Sequence, residues 1–385
     1  MKHKLSATVI AITILLTFSY FIPFCQSQNY SISYQLLNEP GGSIVCRLNV
    51  AVQQSLYDYY RGQSHTIRSE SDFAKFVTPY ALKPIADRLR EKYSDDEDFA
   101  NGVLMIVHQI PYAETTPAKY PVETIVENQG DCDLFSYIAA SIMKAGGLNV
   151  VLLYYEDASH MNVGVSLPHV PQDAREPAYF VTYNHVRYYV AECTGGDLQN
   201  GWRVGEMPDD LKAVPVQVIT LENCEQQAPG QVSATYENVE PSTISLTVSA
   251  TFVFQGSSVT FSGQLSPALQ NENITIYGRI NNSPWIALGT ATTDSNGRYT
   301  YIWTANAAGI CYVRASWSGN EDYLGADSPI QTLTIVSTFF ILLLTVSVAL
   351  ACIGLAVYLT TRQTRQSTFE PQRRKPQKPL HNDKF

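Results

Sequence analysis

Residues 120–165 read YPVETIVENQGDCDLFSYIAASIMKAGGLNVVLLYYEDASHMNVGV, and this stretch decides how the larger part of the chain is interpreted. After Asp131, apolar residues recur every four positions as far as Gly146-Gly147. This spacing predicts one helix with Asp131 as its N-cap and the two glycines as its stop. The runs NVVLLYY and MNVGV that follow are typical of strands. A helix followed by two strands is therefore the expected frame of this segment.

Cys132 falls in the first turn of the predicted helix. The partial positive charge at a helix N-terminus stabilises a thiolate, so this position favours a nucleophilic thiol near neutral pH. The plainer interpretation is a small buried cysteine at a helix start. Cys132 by itself does not decide between the two.

A nucleophilic thiol needs a proton carrier and, usually, a carboxylate that orients the carrier. His160 opens the second predicted strand, where an imidazole can reach the end of a neighbouring helix; His169 and His185, both in loops, are the alternatives. Glu192 ends the strand-like run VRYYVAE and continues one face of it, with His160 as its expected partner. For His160 and for Glu192, simple exposure to solvent is the alternative interpretation.

Four segments together resemble the transglutaminase-like superfamily, in particular its prokaryotic and archaeal members: VLMIVHQIPYAET, YPVETIVENQGDCDLFSYIAASIMKAGGLNVVLL, HMNVGV and RYYVAECT. The resemblance runs from about Glu70 to Val218. It implies an α+β domain with a papain-like cysteine site, in which Cys132 is the nucleophile, His160 the base and acid, and Glu192 the orienting acid. Many relatives carry a second acid two residues after the cysteine. Here that position is Leu134, and the acid is the preceding residue.

The chemistry implied by this triad is acyl transfer through a thioester, which water or an amine then resolves. The expected activity is that of a thiol hydrolase or peptidase, or of an acyl transferase, on peptide or protein substrates at the cell surface; hydrolysis is slightly favoured. No metal or organic cofactor is expected. The alternative from a different class is a non-catalytic surface binding or adhesion protein with an idle transglutaminase-like domain.

Beyond a segment rich in Gln, Pro, Ser and Glu, the pattern becomes all strand. Seven or so short alternating runs in about 95 residues predict a β-sandwich. The stretches WIALGTATTDSNGRYTYIWTA and RASWSGNEDYLGADS resemble the immunoglobulin-like modules of prokaryotic surface proteins. In that setting the module is most often a spacer, and otherwise an adhesive unit.

Two apolar runs suggest a membrane topology. Lys2 and Lys4 precede an apolar run to Cys25, which is typical of a secretory signal or, less often, of an uncleaved anchor. Ser337 to Leu359 carries no charge, which predicts a transmembrane helix, and the basic residues after it would stay in the cytoplasm. The expected localisation is a single-pass cell-membrane protein with extracellular domains.

These interpretations give one order of segments: a signal peptide or N-terminal anchor (1–28), a transglutaminase-like domain (29–224), a linker (225–243), an immunoglobulin-like β-sandwich (244–336), a transmembrane helix (337–360) and a basic cytoplasmic tail (361–385). The expected fold class is therefore an α+β domain plus an all-β sandwich plus a C-terminal transmembrane helix. The formal net charge of −9 argues against general nucleic-acid binding.

The chain has seven cysteines, of which five fall between the two apolar runs. An odd number leaves at least one thiol unpaired if the others form bridges. A disulfide between Cys193 and Cys224 is one possibility. There is no CxxC pair, so a structural zinc site is not expected.

Overall fold

The computed structural model describes residues 29–236, 240–320 and 322–367. The predicted signal segment at 1–28 and the predicted tail from residue 368 onwards lie outside this part of the chain. The α-helices within it are α1 (Gln54–Arg61), α2 (Lys83–Lys92), α3 (Asp96–Val107), α4 (Pro121–Glu127), α5 (Cys132–Ala145) and α6 (Thr338–Ser367). Short 3-10 helices span Glu70–Phe76, Glu156–Ala158 and Asp209–Leu211.

Strands recur along the whole described chain. The first eight are β1 (Asn29–Leu37), β2 (Ile44–Gln53), β3 (Asn149–Tyr155), β4 (His160–Ser166), β5 (Phe180–Tyr183), β6 (Val186–Ala191), β7 (Gln217–Ile219) and β8 (Ser233–Thr235). The others are β9 (Thr243–Ile244), β10 (Thr247–Val248), β11 (Phe252–Phe254), β12 (Ser258–Ser266), β13 (Asn273–Ile280), β14 (Ile286–Thr292), β15 (Arg298–Thr304), β16 (Gly309–Gly319), β17 (Leu324–Asp327) and β18 (Gln331–Val336).

These strands form four sheets. The sheet that carries the candidate site has the order β5-β6-β4-β3-β7, and all its pairings are antiparallel. A second sheet, β1-β2-β8, uses residues of the predicted linker for its last strand. The remaining two sheets, β10-β12-β15 with β9 on β12 and β11-β18-β16-β13-β14 with β17 on β16, enclose a separate apolar core.

Helices α1 to α5 and the sheets β5-β6-β4-β3-β7 and β1-β2-β8 share one apolar core, which we call the first core; the core between the other two sheets is the second. Helix α5 lies at the centre of the first core. Every residue from Leu134 to Met143 is buried, so the helix is enclosed on all sides and not only along one apolar face. Strands β3 and β4 cover it on one side, while α2, α3 and α4 pack against the rest. The side chain of Ser136 donates a hydrogen bond to the backbone carbonyl of Met161 in β4 (2.9 Å), which fixes the helix against the sheet.

The predicted fold class needs correction. The described chain is mostly β-sheet, and the five helices α1 to α5 are short, between 7 and 14 residues each. Two of the four sheets, β5-β6-β4-β3-β7 and β1-β2-β8, contribute to the first core, and no helix in the described part of the chain is long and apolar enough to cross a membrane. An α+β domain plus a sandwich plus a transmembrane helix is therefore a wrong description of the molecule as a whole.

The prediction for the C-terminal apolar run also needs correction. Residues from Thr338 to Ser367 form one helix of 30 residues. A helix needs about 20 consecutive, predominantly apolar residues to cross a bilayer. In the part of the chain that the structure describes, no helix meets this requirement of length and apolar character. This finding overturns the prediction of a transmembrane helix at 337–360 and the single-pass cell-membrane localisation that was based on it.

Candidate active site

Cys132 is the first residue of α5, as the spacing predicted. Its side chain is half-buried, and its thiol donates a long hydrogen bond to the backbone carbonyl of Ser159 (3.8 Å). Because Cys132 occupies the first helical position, its backbone N–H has no acceptor within the helix. The sulfur therefore sits at the positive end of an enclosed helix, beside the residue that precedes β4.

The prediction that Asp131 caps this helix through its side chain is wrong. Asp131 is the N-cap residue by position, but its carboxylate accepts no capping hydrogen bond from a backbone N–H of the first turn. It instead accepts the backbone N–H of Thr115 at Oδ2 (2.7 Å). The loop before α4 thus competes for the capping oxygen and is held next to Cys132.

His160 is the first residue of β4, directly after Ser159, which adopts a left-handed backbone conformation (φ 48°). Its ring Nε2 lies 3.0 Å from Glu192 Oε2 and 3.2 Å from Glu192 Oε1. Cys132 also acts on this ring, because its thiol is one of the groups that raise the pKa of His160. Since Nε2 is occupied by the carboxylate, Nδ1 is the nitrogen left to exchange a proton with the sulfur.

Glu192 follows the last residue of β6 and is fully buried. Besides the His160 ring, its Oε1 accepts the backbone N–H of Thr194 (2.9 Å) and the Thr194 hydroxyl (2.6 Å). A buried carboxylate is stable only when hydrogen bonds or a positive charge compensate its lost hydration. Here Thr194 and His160 supply that compensation. Because His160 begins β4 and Glu192 directly follows β6, the bond between them gives the imidazole one orientation.

The electrostatics of the trio favour a charged imidazole. Burial lowers the pKa of His160, but hydrogen bonds and charges from Cys132 and Glu192 outweigh it and raise the pKa from 6.5 to about 10. A ring with such a pKa holds a proton at neutral pH. The site therefore places an imidazolium, supported by a buried carboxylate, next to the Cys132 side chain.

The alternative histidines lie elsewhere. His169 is near Asp95 (3.5 Å) and Glu97 (3.6 Å), at the start of α3. His185 occupies the turn between β5 and β6 with a positive φ of 66°. The structure thus brings together Cys132, His160 and Glu192 and leaves the other two candidates outside the site.

Two residues of the site were not found from the sequence. Asn162 is fully buried, two residues after His160, and its Oδ1 lies 3.0 Å from the same Nε2. His108 donates from Nε2 to the backbone carbonyl of Glu192 (3.0 Å), and burial lowers the pKa of His108, which favours the neutral ring. His108 lies inside the segment VLMIVHQIPYAET that carried part of the resemblance, but a single histidine near a helix end gives no sign of this contact.

An unusual carboxyl pair flanks the nucleophile. Asp131 and Asp133 lie on either side of Cys132 in the chain, and burial together with the neighbouring Asp131 carboxyl raises the pKa of Asp133 to about 8. Asp131 Oδ1 is buried and has no hydrogen-bond partner of ordinary geometry among the described residues. A proton shared between the two carboxyls accounts for both observations.

A cavity of about 540 Å³ lies beyond the loop that follows Glu192. Its lining includes Gly195, Gly196 and Trp202, together with Arg175 and Lys212, which are paired with Glu206 and Asp209. The three catalytic candidates are not part of this lining. The cavity is close in the chain to the buried carboxylate, since Gly195 and Gly196 follow Glu192 by three and four residues.

The cysteines that the structure describes are all free, including Cys193 and Cys224. The possible disulfide between these two residues is therefore not formed. Burial raises the pKa of both thiols. Neither of them is set up as a nucleophile.

In comparisons with known proteins, no family model matches this chain and no curated protein matches its sequence. The class that the site suggests therefore depends on the geometry of the three side chains. The transglutaminase-like resemblance stays a prediction.

Proposed function

We propose that this chain is a thiol hydrolase or peptidase, or an acyl transferase, of the transglutaminase-like type, acting on peptide substrates through Cys132, His160 and Glu192. The single observation that carries the proposal is the His160 ring, which is bound to a fully buried carboxylate at Nε2 and faces the half-buried thiol of Cys132. A surface or purely structural histidine has no need of both contacts.

The reaction follows from these positions. The thiolate of Cys132 attacks a carbonyl carbon, and the developing oxyanion is stabilised by the backbone N–H of Cys132 at the helix start. The imidazolium of His160 gives its proton to the leaving amine, which leaves a thioester on the sulfur. His160 then takes a proton from the incoming water or amine, and Glu192 keeps the ring in place throughout.

We favour hydrolysis as the second half-reaction. Cys132 is only half-buried, so water has access to a thioester on its sulfur. An acyl transferase must keep water away from the same bond for long enough to let an amine attack. Cross-linking of proteins is the competing outcome, and the two share every earlier step.

The first test is the reactivity of Cys132 in the full-length protein. We expect iodoacetamide to label Cys132 at pH 7 at least about tenfold faster than an unperturbed thiol, because the thiolate fraction is larger. His160→Ala should abolish this advantage, and His169→Ala is the matched control that should keep it. Mass spectrometry of the Cys132 peptide separates this signal from the other cysteines. An ordinary rate that His160→Ala does not change would instead support an idle domain in a binding protein.

A second experiment separates the two half-reactions. The protein is incubated with a glutamine-containing peptide and a dansylated amine, and products are followed by mass spectrometry. Deamidated or cleaved peptide without dansyl incorporation supports hydrolysis, whereas a dansylated peptide supports transfer. Cys132→Ser should remove either product.

A further inference from the structure

Asn162 is placed where a second hydrogen-bond acceptor for the catalytic ring would be needed. It is fully buried in β4, on the same side of the strand as His160, because residues two apart in a strand share a face. Its Oδ1 lies 3.0 Å from His160 Nε2, the same distance as Glu192 Oε2 from that nitrogen. The ring N–H is therefore shared between a carboxylate and an amide oxygen.

The other end of the Asn162 amide is poorly satisfied. Its buried Nδ2 and the nearby hydroxyl of Tyr155 make no hydrogen bond of ordinary geometry among the described residues, although Asn162 is close enough to counteract the rise that burial causes in the pKa of Tyr155. A buried donor without a partner is unfavourable by about 1–3 kcal/mol. A leucine of similar size would fill this space without that cost. An asparagine here thus works against stability, which suggests that its oxygen serves another purpose.

We infer that Asn162 is a positioning residue of the thiol site, whose Oδ1 shares the Nε2–H of His160 with Glu192 and so holds Nδ1 of the ring towards Cys132. This inference rests on the proposed function. The groups that face the ring are Cys132 from α5, Glu192 after β6, Tyr155 from β3 and Asn162 itself. Of these, only Glu192 and Asn162 accept from Nε2, so each of them restricts rotation of the imidazole.

The test measures the rate of Cys132 alkylation by iodoacetamide between pH 5 and 11, together with thermal unfolding, in four full-length variants. Asn162→Leu removes the acceptor and keeps the volume. Asn162→Asp keeps an oxygen at the same place. Asn101→Leu is the control, because Asn101 is equally buried but bonds to Asp173 and to the backbone of Val204 away from the ring. His160→Ala reports the proposed function separately.

We expect Asn162→Leu to lower the alkylation rate at pH 7 about tenfold and to move the rise of the rate with pH up by about one unit, because a less firmly held imidazolium stabilises the reacting thiolate less and each pKa unit is a factor of ten. Its melting temperature should equal or exceed that of the wild type. Asn162→Asp should keep the rate at pH 7 and move the rise of the rate to lower pH. Asn101→Leu should lower the melting temperature and leave the pH dependence of the alkylation rate unchanged, which is the opposite outcome to Asn162→Leu.

A profile for Asn162→Leu that coincides with the wild type, while His160→Ala loses the fast reaction, would overturn the inference and leave the proposed function intact. A wild type that already reacts like an ordinary thiol, with no effect of His160→Ala, would instead remove the proposed function. If Asn162→Leu does not fold, the comparison of Asn162→Asp with the wild type decides, because a purely structural asparagine predicts no shift of the pH at which the alkylation rate rises.

Discussion

His160 and Glu192 place opposite charges in an enclosed space, and their energies depend on pH in a predictable direction. The folded-state pKa of His160, about 10, lies above its ordinary value of 6.5. The stabilisation from the charged ring is therefore fully present below pH 6.5 and is lost as pH rises through 10. Above that range Glu192 remains buried beside a neutral ring.

The substitution Glu192→Gln tests the direction of this pH dependence of stability. The variant keeps the shape of the side chain and removes the charge, so the wild type should exceed it in stability at pH 6 by about 2 kcal/mol, because one pKa unit is worth about 1.4 kcal/mol and Glu192 causes only part of the shift. The difference should shrink towards pH 10. Urea unfolding at both pH values measures it, and a difference that grows with pH would contradict the assigned charge state.

Asp133 changes stability in the same direction as His160, but over a lower pH range. A carboxyl whose folded-state pKa is raised from 3.8 to about 8 binds a proton more tightly in the folded protein, so stability falls as pH rises across that range. Asp133→Asn keeps a donor for Asp131 and should be more stable than the wild type by about 1–2 kcal/mol at pH 9, with little difference at pH 5. The control is Asp157→Asn, an exposed acid near the site. Equal effects of the two substitutions would argue against a shared proton.

The residues of the site were predictable to the extent that each leaves a local signal. Cys132 was found from its helix start, and His160 and Glu192 from their places at strand ends. Asn162 and His108 could not be found, because their roles depend on which atoms face the ring or the Glu192 carbonyl. The capping prediction for Asp131 failed for a similar reason, since the competing donor, Thr115, is 16 residues away in the chain.

At the scale of elements, the end of α5 shows how a sequence signal becomes structure. Gly147 has a φ of 92°, and the backbone N–H groups of Gly147 and Leu148 donate to the carbonyls of Lys144 and Met143. This is the hydrogen-bond pattern of a Schellman motif, with the left-handed glycine directly after the C-cap. Gly146, by contrast, is needed for space, because a Cβ there would come within 2.2 Å of the Phe99 ring.

Two alanine substitutions separate these causes. Gly147→Ala meets no atom within 4 Å and should lose only the left-handed penalty, about 1–2 kcal/mol. Gly146→Ala should lose about 1–3 kcal/mol by displacing Phe99, whose ring also supports the guanidinium of Arg90 at 3.9 Å. Chemical denaturation measures both losses of stability. Adding Phe99→Leu should recover part of the Gly146→Ala loss and none of the Gly147→Ala loss. Recovery of the Gly147→Ala loss by the same change would contradict the distinction.

Element positions followed the local patterns closely, although the fold class did not. The helix predicted after Asp131 is confirmed as α5, and the runs NVVLLYY and MNVGV predicted as strands are confirmed as β3 and as the central part of β4. Helix α1 was missed because it continues directly from β2 without a side-chain cap. Helix α4 had a usable signal, since Pro121 opens it and Glu123 reaches back to the N–H of Tyr120 (2.9 Å).

At the scale of the whole molecule, the two cores are joined by buried polar contacts. Ser55 donates from its backbone N–H to Asp327 (2.9 Å) and shares its hydroxyl with Asp327 and Ser316. Gln53 Nε2 donates to the carbonyl of Ser318 (2.8 Å). None of these long-range pairs could be predicted from the sequence, because each joins residues more than 250 positions apart. They favour unfolding of the two cores as one unit.

The ion pair between Arg314 and Asp58 is the sharpest test of that coupling. Arg314 Nη2 lies 3.0 Å from Asp58 Oδ2, and the arginine side chain is only 5% exposed. Asp58→Ala should cost about 3 kcal/mol because it leaves a buried guanidinium without its counter-charge. Adding Arg314→Met should recover part of the loss, since the unpaired charge is then removed.

Asp87→Ala breaks a half-exposed pair with Lys83 and should cost less than about 1 kcal/mol. Calorimetry should show one transition in the wild type and two in Asp58→Ala, because the weakened junction lets each core unfold separately. Equal costs for Asp58→Ala and Asp87→Ala would mean that the ion pair between the cores contributes no more than a surface pair.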